Sequence, residues 1–513
     1  MRRHRVRVFP DDTVLHAEHE EQLKSLLRRN GILLRGQCQD SGTCGLCRVV
    51  LEGSSATACT YHVTSDIVVY VPHTSRLASH MLMPRVVVAC DADALYAAVD
   101  VGTTTLSAAL LGEGGAFLAN SCAFNPQMAY GEDVISRIVY AERAPEALSQ
   151  LKACAARQID ALLVAMCEHI GKQRSQTLSQ IVVSGNTVMS SVLLGRDPSP
   201  IRRESVAASM LGAFCGRGTD IGLEVFGELP VFVLPHAGAF VGGDVVAGVL
   251  AQHIADGDEL SLLVDIGTNG EIVLGNREWL ACCACSAGPA FEGAGVSCGM
   301  PAAPGAIHDA WLDSDSEVGF SVLGGGRPRG VCGSGLIALL DVMREAGIID
   351  RSGRFAPAVP RVETSPDGTR RMLLAETDFD ALYIEEPDLK NLMRAKAAIF
   401  GGIRTLLHSM GIDLAQISRV LLAGGFGMSL NIERAVRIGL VPDIDRNKIQ
   451  TVGNTSLDGA AICAVDARAR ERVSRLARSM SYVDLSQDNR FTEEYVAAMF
   501  LPHTDLGLFP SVR

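Results

Sequence analysis

The sequence predicts an α/β multidomain protein: a small, strand-rich N-terminal domain carrying a cysteine loop, then a duplicated, two-lobed α/β body. Three observations predict it. Four cysteines, Cys38, Cys44, Cys47 and Cys59, lie at C-x5-C-x2-C-x11-C spacing among short alternating strands. A strand–Asp–Gly–Thr–strand pattern occurs twice, as YAAVDVGTTTL at Tyr96–Leu106 and as LLVDIGTNGEIVL at Leu262–Leu274. At 513 residues the chain exceeds one core, and a hydrophobic content of 48% is enough to fill several.

The N-terminal domain reads element by element. Arg5–Phe9 alternates as a strand, Pro10-Asp11-Asp12 turns, and Thr13–His16 starts a second strand. Glu20–Arg29 has Leu23, Leu26 and Leu27 on one face and predicts a helix stopped by Asn30-Gly31. After the cysteine loop, Cys47–Glu52 is a strand, Gly53–Ser55 a turn, and Ile67–Val71 a strand closed by Pro72. Thiolates crowded on a short loop ligate soft metals, and Gly42 and Gly45 let the backbone turn its N–H groups toward inorganic sulfide. A zinc knuckle usually needs two separated close pairs, and only one close pair is present. The spacing therefore favours a 2Fe–2S cluster. Cys59 precedes a strand and is the expected fourth ligand, and Cys90, in an apolar run beyond Pro72, is expected in a core.

Residues 1 to about 73 resemble a β-grasp ferredoxin, and the C-x2-C-x11-C tail resembles iron–sulfur subunits of molybdenum hydroxylases. Residues 74–94 form a linker. From Leu95 strands and helices alternate, and the two Asp–Gly–Thr hairpins suggest duplicated lobes over 95–258 and 259–480, with 481–513 a C-terminal tail. A strand-end aspartate can reach a hydrated Mg²⁺, and hydroxyls and exposed N–H groups can bind phosphate. A third element, SRVLLAGGFGM at Ser418–Met428, runs a buried strand into glycines against which a nucleoside can lie. The three together resemble the two phosphate motifs and the adenosine motif of the ASKHA superfamily. The resemblance implies that Asp100, Gly102, Thr103, Thr104 and Thr105 contact phosphate and metal from the first lobe. It implies the same of Asp265, Gly267, Thr268, Asn269 and Gly270 from the second, with Gly424, Gly425 and Phe426 flanking the nucleoside. Phe426 is equally compatible with a core residue behind its loop.

Several further stretches stand out. NPQMAYGEDVISRIVY at Asn125–Tyr140 reads as a loop entering a helix, with Glu132 and Asp133 either capping it or facing the nucleotide or a partner. IVVSGNTVM at Ile181–Met189 is a strand, then Gly-Asn-Thr opening a helix. In HAGAFVGGDVVA at His236–Ala247, Asp244 either caps a helix or positions Mg²⁺ or the attacking water. Cys282, Cys283, Cys285 and Cys298 have the wrong spacing for a second cluster and read as small packed residues. SAGPAFEG at Ser286–Gly293 is a glycine-rich loop entering a helix, and GVCGSGLIALL at Gly330–Leu340 predicts a second such element with an anion-binding N-terminus. Lys396, on a small-residue helix over Asp388–Leu407, faces either solvent or nucleotide, and Asp466–Arg478 is a charged, solvated helix.

Composition narrows the partners. A net charge of −12, from 46 basic and 58 acidic residues, disfavours nucleic acid and anionic membranes. The basic N-terminus lacks an apolar h-region, and no apolar run reaches spanning length. Fifteen cysteines without a disulfide framework indicate a reducing cytoplasm, and with 5% aromatics they fit an anaerobe.

The whole chain resembles the reductive activators of corrinoid-dependent enzymes. The cysteine loop, DVGTTT, NPQ-x3-GEDVISRI, SGNTVM, GG-D-V-x-A, DIGTNGEI, SAGPAFEGAG, GVCGSGLI and AGGFG carry the resemblance. It implies ATP-dependent transfer of one electron from a 2Fe–2S cluster to a corrinoid protein, reducing cob(II)amide to cob(I)amide in a methyltransferase system. The implied cofactors are the cluster and ATP with Mg²⁺. The implied partners are the corrinoid protein, met by insertions of the first lobe, an upstream low-potential donor and a second copy in a homodimer. The Cys47–Cys59 interval and the linker are shorter than the family's. Alternatives are an activator of a 2-hydroxyacyl-CoA dehydratase, an ASKHA small-molecule kinase with a zinc-binding N-terminal module, and a non-enzymatic nucleotide switch.

Overall fold

In the computed structural model the described residues are 3–9, 11–35, 40–42, 47–51, 54–72, 75, 85–86, 94–171, 178–203, 212–313, 317–357, 359, 361–376, 381–425 and 430–512. Cys38, Cys44, Cys90, Phe426 and most of the 74–94 linker lie outside them. The chain divides into two compact units, residues 1–208 with 214–233, and residues 209–213 with 234–513.

The first unit begins with a five-stranded sheet. Its order is Thr13–Glu18, Arg3–Phe9, Ile67–Tyr70, Arg48–Leu51, Ser54–Thr57, with the second and third strands parallel. Arg3–Phe9 alternates exposed and buried residues, so Val6 and Val8 enter the core where they meet Leu23, Leu26 and Leu27 of the helix Leu23–Arg29. Two expectations shift. The helix starts at Leu23 rather than Glu20, because Glu21 and Gln22 pair with Val63 and His62 as a short strand. Of the expected turn at 53–55, Ser54 and Ser55 belong to the strand Ser54–Thr57, which pairs with Arg48–Leu51 at the sheet edge, and Gly53 lies outside the described residues.

The rest of the first unit is built on a seven-stranded sheet. Its order is Phe214–Arg217, Pro230–Val233, Leu178–Gly185, Leu95–Val101, Thr105–Leu111, Phe117–Phe124, Arg85–Val86. The second unit holds a six-stranded sheet in the order Ile449–Gly453, Arg419–Ala423, Ser261–Ile266, Gly270–Gly275, Leu280–Cys285, Met480–Tyr482. Each sheet places its Asp–Gly–Thr hairpin in the same frame. The first hairpin strand runs parallel to an inner strand, and the return strand runs antiparallel to the first and to the next. The duplication read from two short motifs is thus a duplication of topology.

The helix Gly243–Ala251, read within the first lobe, packs in the second unit. It meets the helix Thr455–Val465 so closely that a Cβ on Gly459 would lie 2.3 Å from the Ala247 carbonyl. The end of the chain is not a tail. The helix Asn489–Ala498 lies on the long helix Glu386–Met410, and Ala498, Leu501 and Phe509 are core residues. Lys396 fastens them, its ammonium donating to the carbonyls of Ala498, Phe500 and Pro502. It therefore faces neither solvent nor nucleotide, the two options read from the sequence; it takes up the last carbonyl of the helix Asn489–Ala498 and two carbonyls of the segment that follows.

The glycine-rich start of the helix Gly333–Glu345 is also explained by packing. A Cβ on Gly335 would meet the Ile307 carbonyl at 2.2 Å, and Ser334 Oγ donates to the His308 carbonyl. Helix Ala467–Ser479 buries Ala469, Val473, Leu476 and Ala477, so one of its faces is core and the other is charged.

Candidate functional site

The first hairpin closes because Gly102 donates its N–H to the Thr105 carbonyl at 3.0 Å, and a Cβ on Gly102 would stand 2.6 Å from that same oxygen. Only glycine fits. Asp100 at the strand end and Thr105 at the return are half-buried, whereas Thr103 and Thr104 are buried. The Thr103 hydroxyl accepts from Asn186 Nδ2 at 2.9 Å. Asn186 belongs to the Gly-Asn-Thr stretch and caps the helix Thr187–Leu193 through Met189 N–H.

The Asn125–Tyr140 stretch braces this hairpin from behind. Asn125 Nδ2 donates to the Gly102 carbonyl at 2.8 Å, while its own Oδ1 accepts from Gln127 N–H. Arg137, fully buried, donates to the carbonyls of Thr103 and Gly131 and to Gln127 Oε1. Asp133 caps the helix Val134–Ala141 in a reciprocal box with Ser136, which is the capping option read from the sequence. Glu132 does something else: its Oε1 lies 3.2 Å from Nε of Arg35, in the N-terminal domain. The sequence reading did not single out Asn125, Arg137 or Asn186. The signal was present, since polar residues at fixed offsets in NPQ-x3-GEDVISRI and SGN do not fit a solvated helix face.

The second hairpin is backed by acids. Thr268 Oγ1 donates to Glu292 Oε2 at 2.5 Å, so the glycine-rich loop Ser286–Gly293 is a support for this hairpin. Asp265 and Glu271 are cross-strand partners. Glu271 is buried, and burial, with the charges of Asp244 and Asp265, holds its carboxyl well above the usual range. Burial and the neighbouring charges thus favour its protonated form, while the hydrogen bond with Asn269 favours the charged one. Asp244 lies in the first turn of its helix, whose N-cap is Gly242, and its Oδ1 accepts from Val245 N–H. Glu271 and Glu292 were missed because each reads as an ordinary charged position until the hairpin folds onto it.

Gly424 ends the strand Arg419–Ala423 at φ +120°, and a Cβ there would be 2.4 Å from the Ile266 carbonyl and 3.4 Å from Asp265 Oδ1. The glycine thus lets the third motif approach the second hairpin, and Gly425 beside it is exposed. Cys282, Cys283 and Cys285 are buried on one strand, and burial pushes the Cys282 and Cys285 thiols up to about 12, the behaviour of inert packed residues. In the N-terminal domain, Cys47 and Cys59 are 1% and 2% exposed in one core. The Cys47 carbonyl accepts from Ala58 N–H at 2.9 Å, so these two sulfur-bearing residues flank one strand pair next to the loop that carries the others. Among the described residues no helix is long and apolar enough to cross a membrane.

This fold and its paired hairpins define the class: an ASKHA-type chain with an added cysteine-bearing domain. Residues 95–256 match the RACo middle region, and residues 259–513 match the C-terminal domain of RACo, the ASKHA domain. A solved structure described as a reductive activator for corrinoid, iron–sulfur protein is similar, with TM-score 0.76 and 32% identity over 99% of this chain and 100% of that one. The corrinoid activation enzyme RamQ of Eubacterium limosum is 28% identical over 414 residues, 78% of this chain and 69% of RamQ. A Co(II) methylated amine-specific corrinoid protein reductase of Methanosarcina barkeri is 28% identical over 290 residues, 52% of this chain and 49% of that reductase. The chain belongs to the RACo family, the reductive activators of corrinoid-dependent enzymes.

Proposed function

We propose that this protein uses ATP to drive one electron from a 2Fe–2S cluster into a corrinoid protein, reducing inactive cob(II)amide to cob(I)amide. One electron leaves the reduced cluster and one enters cobalt; an upstream low-potential donor then refills the cluster. The carrying observation is a pair of buried core cysteines, Cys47 and Cys59, beside a cysteine-bearing loop, on a chain whose two Asp–Gly–Thr hairpins share one topology.

Cys38, Cys44, Cys47 and Cys59 would hold the cluster, which supplies single-electron transfer at low potential. The donor set fits: thiolates suit iron–sulfur clusters, and the two described cysteines are shielded from water. ATP would meet the first hairpin through Asp100, Gly102 and Thr105, with Thr103 and Thr104 shaping its buried side. The second hairpin would offer Asp265, Gly267, Thr268, Asn269 and Gly270, with Asp244 oriented toward Mg²⁺ or the attacking water. Gly424, Gly425 and Phe426 would flank the nucleoside. A ferredoxin-type cluster near about −400 mV is a weak donor to cob(II)amide. A one-electron gap of ~120 mV is about a hundredfold in equilibrium constant, and binding energy that remodels the partner's cobalt site can cover it.

The test mixes chemically reduced protein with a corrinoid protein of a methyltransferase system, anaerobically, with and without MgATP. Cob(I) absorbance is expected only with MgATP, and equal formation without it overturns the proposal. Cys47→Ser is expected to lose the visible spectrum and the bound iron while still binding ATP. A colourless, zinc-loaded wild-type protein would instead support a kinase reading.

A further inference from the structure

Thr103 of the first hairpin and Arg35 at the edge of the cysteine loop are joined by an unbroken line of polar contacts. The Thr103 carbonyl accepts from Arg137, and the same guanidinium donates to the Gly131 carbonyl at 2.8 Å. The next residue, Glu132, meets Arg35 at 3.2 Å, across 97 residues of sequence. Arg35 N–H is tied to the Ser75 carbonyl at 3.0 Å, so this one residue stands between the cysteine loop and the start of the linker. A Cβ on Gly131 would stand 2.4 Å from Ser136 Oγ, so the turn that carries Glu132 lies directly against the helix carrying Arg137. A second contact runs beside the first: the Arg28 guanidinium lies over the Tyr130 ring, 5.6 Å from its centroid.

We propose that Glu132 and Arg35 form a latch through which occupancy of the first hairpin is transmitted to the cysteine-bearing domain, making both of them positioning residues for electron transfer. The inference rests on the reading that this hairpin binds nucleotide. The pair has the properties of a switchable contact. Its side chains are 6% and 0% exposed, so water does not screen the attraction, and small displacements change it steeply. It is made through one carboxylate oxygen; Glu132 Oε2 has no hydrogen-bond partner among the described residues. Removing either partner would leave the other charge buried and uncompensated, so the two groups act as a unit. Nucleotide that shifts the Thr103 carbonyl pulls on Arg137, hence on Gly131 and on Glu132.

The experiment uses the full-length, cluster-loaded protein and follows backbone hydrogen exchange of residues 23–35 by mass spectrometry, with and without MgATP. In the wild type, nucleotide is expected to change exchange there at least about fivefold, the low end of ordinary coupling between sites. Glu132→Gln keeps the size and loses the charge; it is expected to bind ATP within about threefold of wild type yet lose the exchange response. Should that variant fail to fold, Arg35→Lys, which keeps the charge, must respond while Arg35→Gln must not. A wild type that binds ATP without a response in 23–35, or a Glu132→Gln that responds like wild type, or equal responses from the two Arg35 variants, overturns the latch and leaves the proposed function standing. Failure to bind ATP at all defeats both.

Discussion

The two Asp–Gly–Thr hairpins have the same strand frame and opposite electrostatic support. Behind Gly102 and Thr103 stand a buried guanidinium and two amides, Arg137, Asn125 and Asn186, all donating. Behind Thr268 and Asp265 stand carboxyl groups, Glu292 and Glu271, with the Asp244 charge acting on the latter. A duplicated topology thus does not duplicate chemistry. The first hairpin is anchored by groups that do not titrate near neutral pH, so its geometry is fixed by hydrogen-bond direction. The second depends on which carboxyls are charged, so its environment responds to pH and to a cation.

The sharpest way to break this contrast is Arg137→Ala. It strands the Thr103 and Gly131 carbonyls and empties a fully buried position, and should cost about 3–5 kcal/mol in urea denaturation together with loss of ATP turnover. Lysine should recover only part of this, because its point charge cannot replace a planar fork. A loss below about 1 kcal/mol would mean that the cation is not the anchor.

The second region is probed by pH. Asp388 accepts from Ser297 N–H and Oγ, just beyond the loop that carries Glu292, and burial raises its carboxyl to about 6. A raised folded value means the folded chain holds the proton longer. Stability from this group is complete below the ordinary value near 3.8, falls as pH rises toward about 6, and is level above it. The span amounts to roughly 3 kcal/mol at most. Thermal melts of wild type and Asp388→Asn between those pH values should diverge, with the variant flatter; parallel curves would remove Asp388 from this account.

Glu292→Gln should cost about 2 kcal/mol by exchanging a charge-assisted hydrogen bond to Thr268 for a neutral one. The matched change in the first hairpin's support, Asn186→Ala, should cost about 1 kcal/mol through the lost helix cap. If the two costs were reversed, the charge would not be what holds the second hairpin. Glu271→Gln is distinguished by the pH dependence of its stability, because glutamine stays neutral in both the folded and the unfolded chain. Wild type should lose stability as pH rises above the ordinary carboxylate value of 4.5 toward the raised Glu271 value, and stay level beyond it, whereas the variant should show no such fall; equal slopes would remove Glu271 from the contrast.

Much of this was legible in one dimension. The strand Arg3–Phe9, the leucine face of Leu23–Arg29 and both hairpins follow from period-two and period-3.6 patterns with glycine at the turns. The helix start at Leu23 was not, because the pairing of Glu21 and Gln22 with His62 and Val63 outweighs their helical propensity. Lys396 was not either; its acceptors lie more than 100 residues later, at Ala498, Phe500 and Pro502.

By itself, the sequence determined the two hairpins, whose closure depends on contacts within a few residues, as Gly102 N–H to the Thr105 carbonyl illustrates, whereas Gly335, Gly424 and Gly459 answer to carbonyls distant in sequence. Tertiary structure alone decided what stands behind each hairpin, which buried cation meets which carbonyl, and that Glu132 meets Arg35 rather than solvent. A buried polar group must find its partner wherever the fold brings one within about 3 Å, and sequence distance places no limit on that choice.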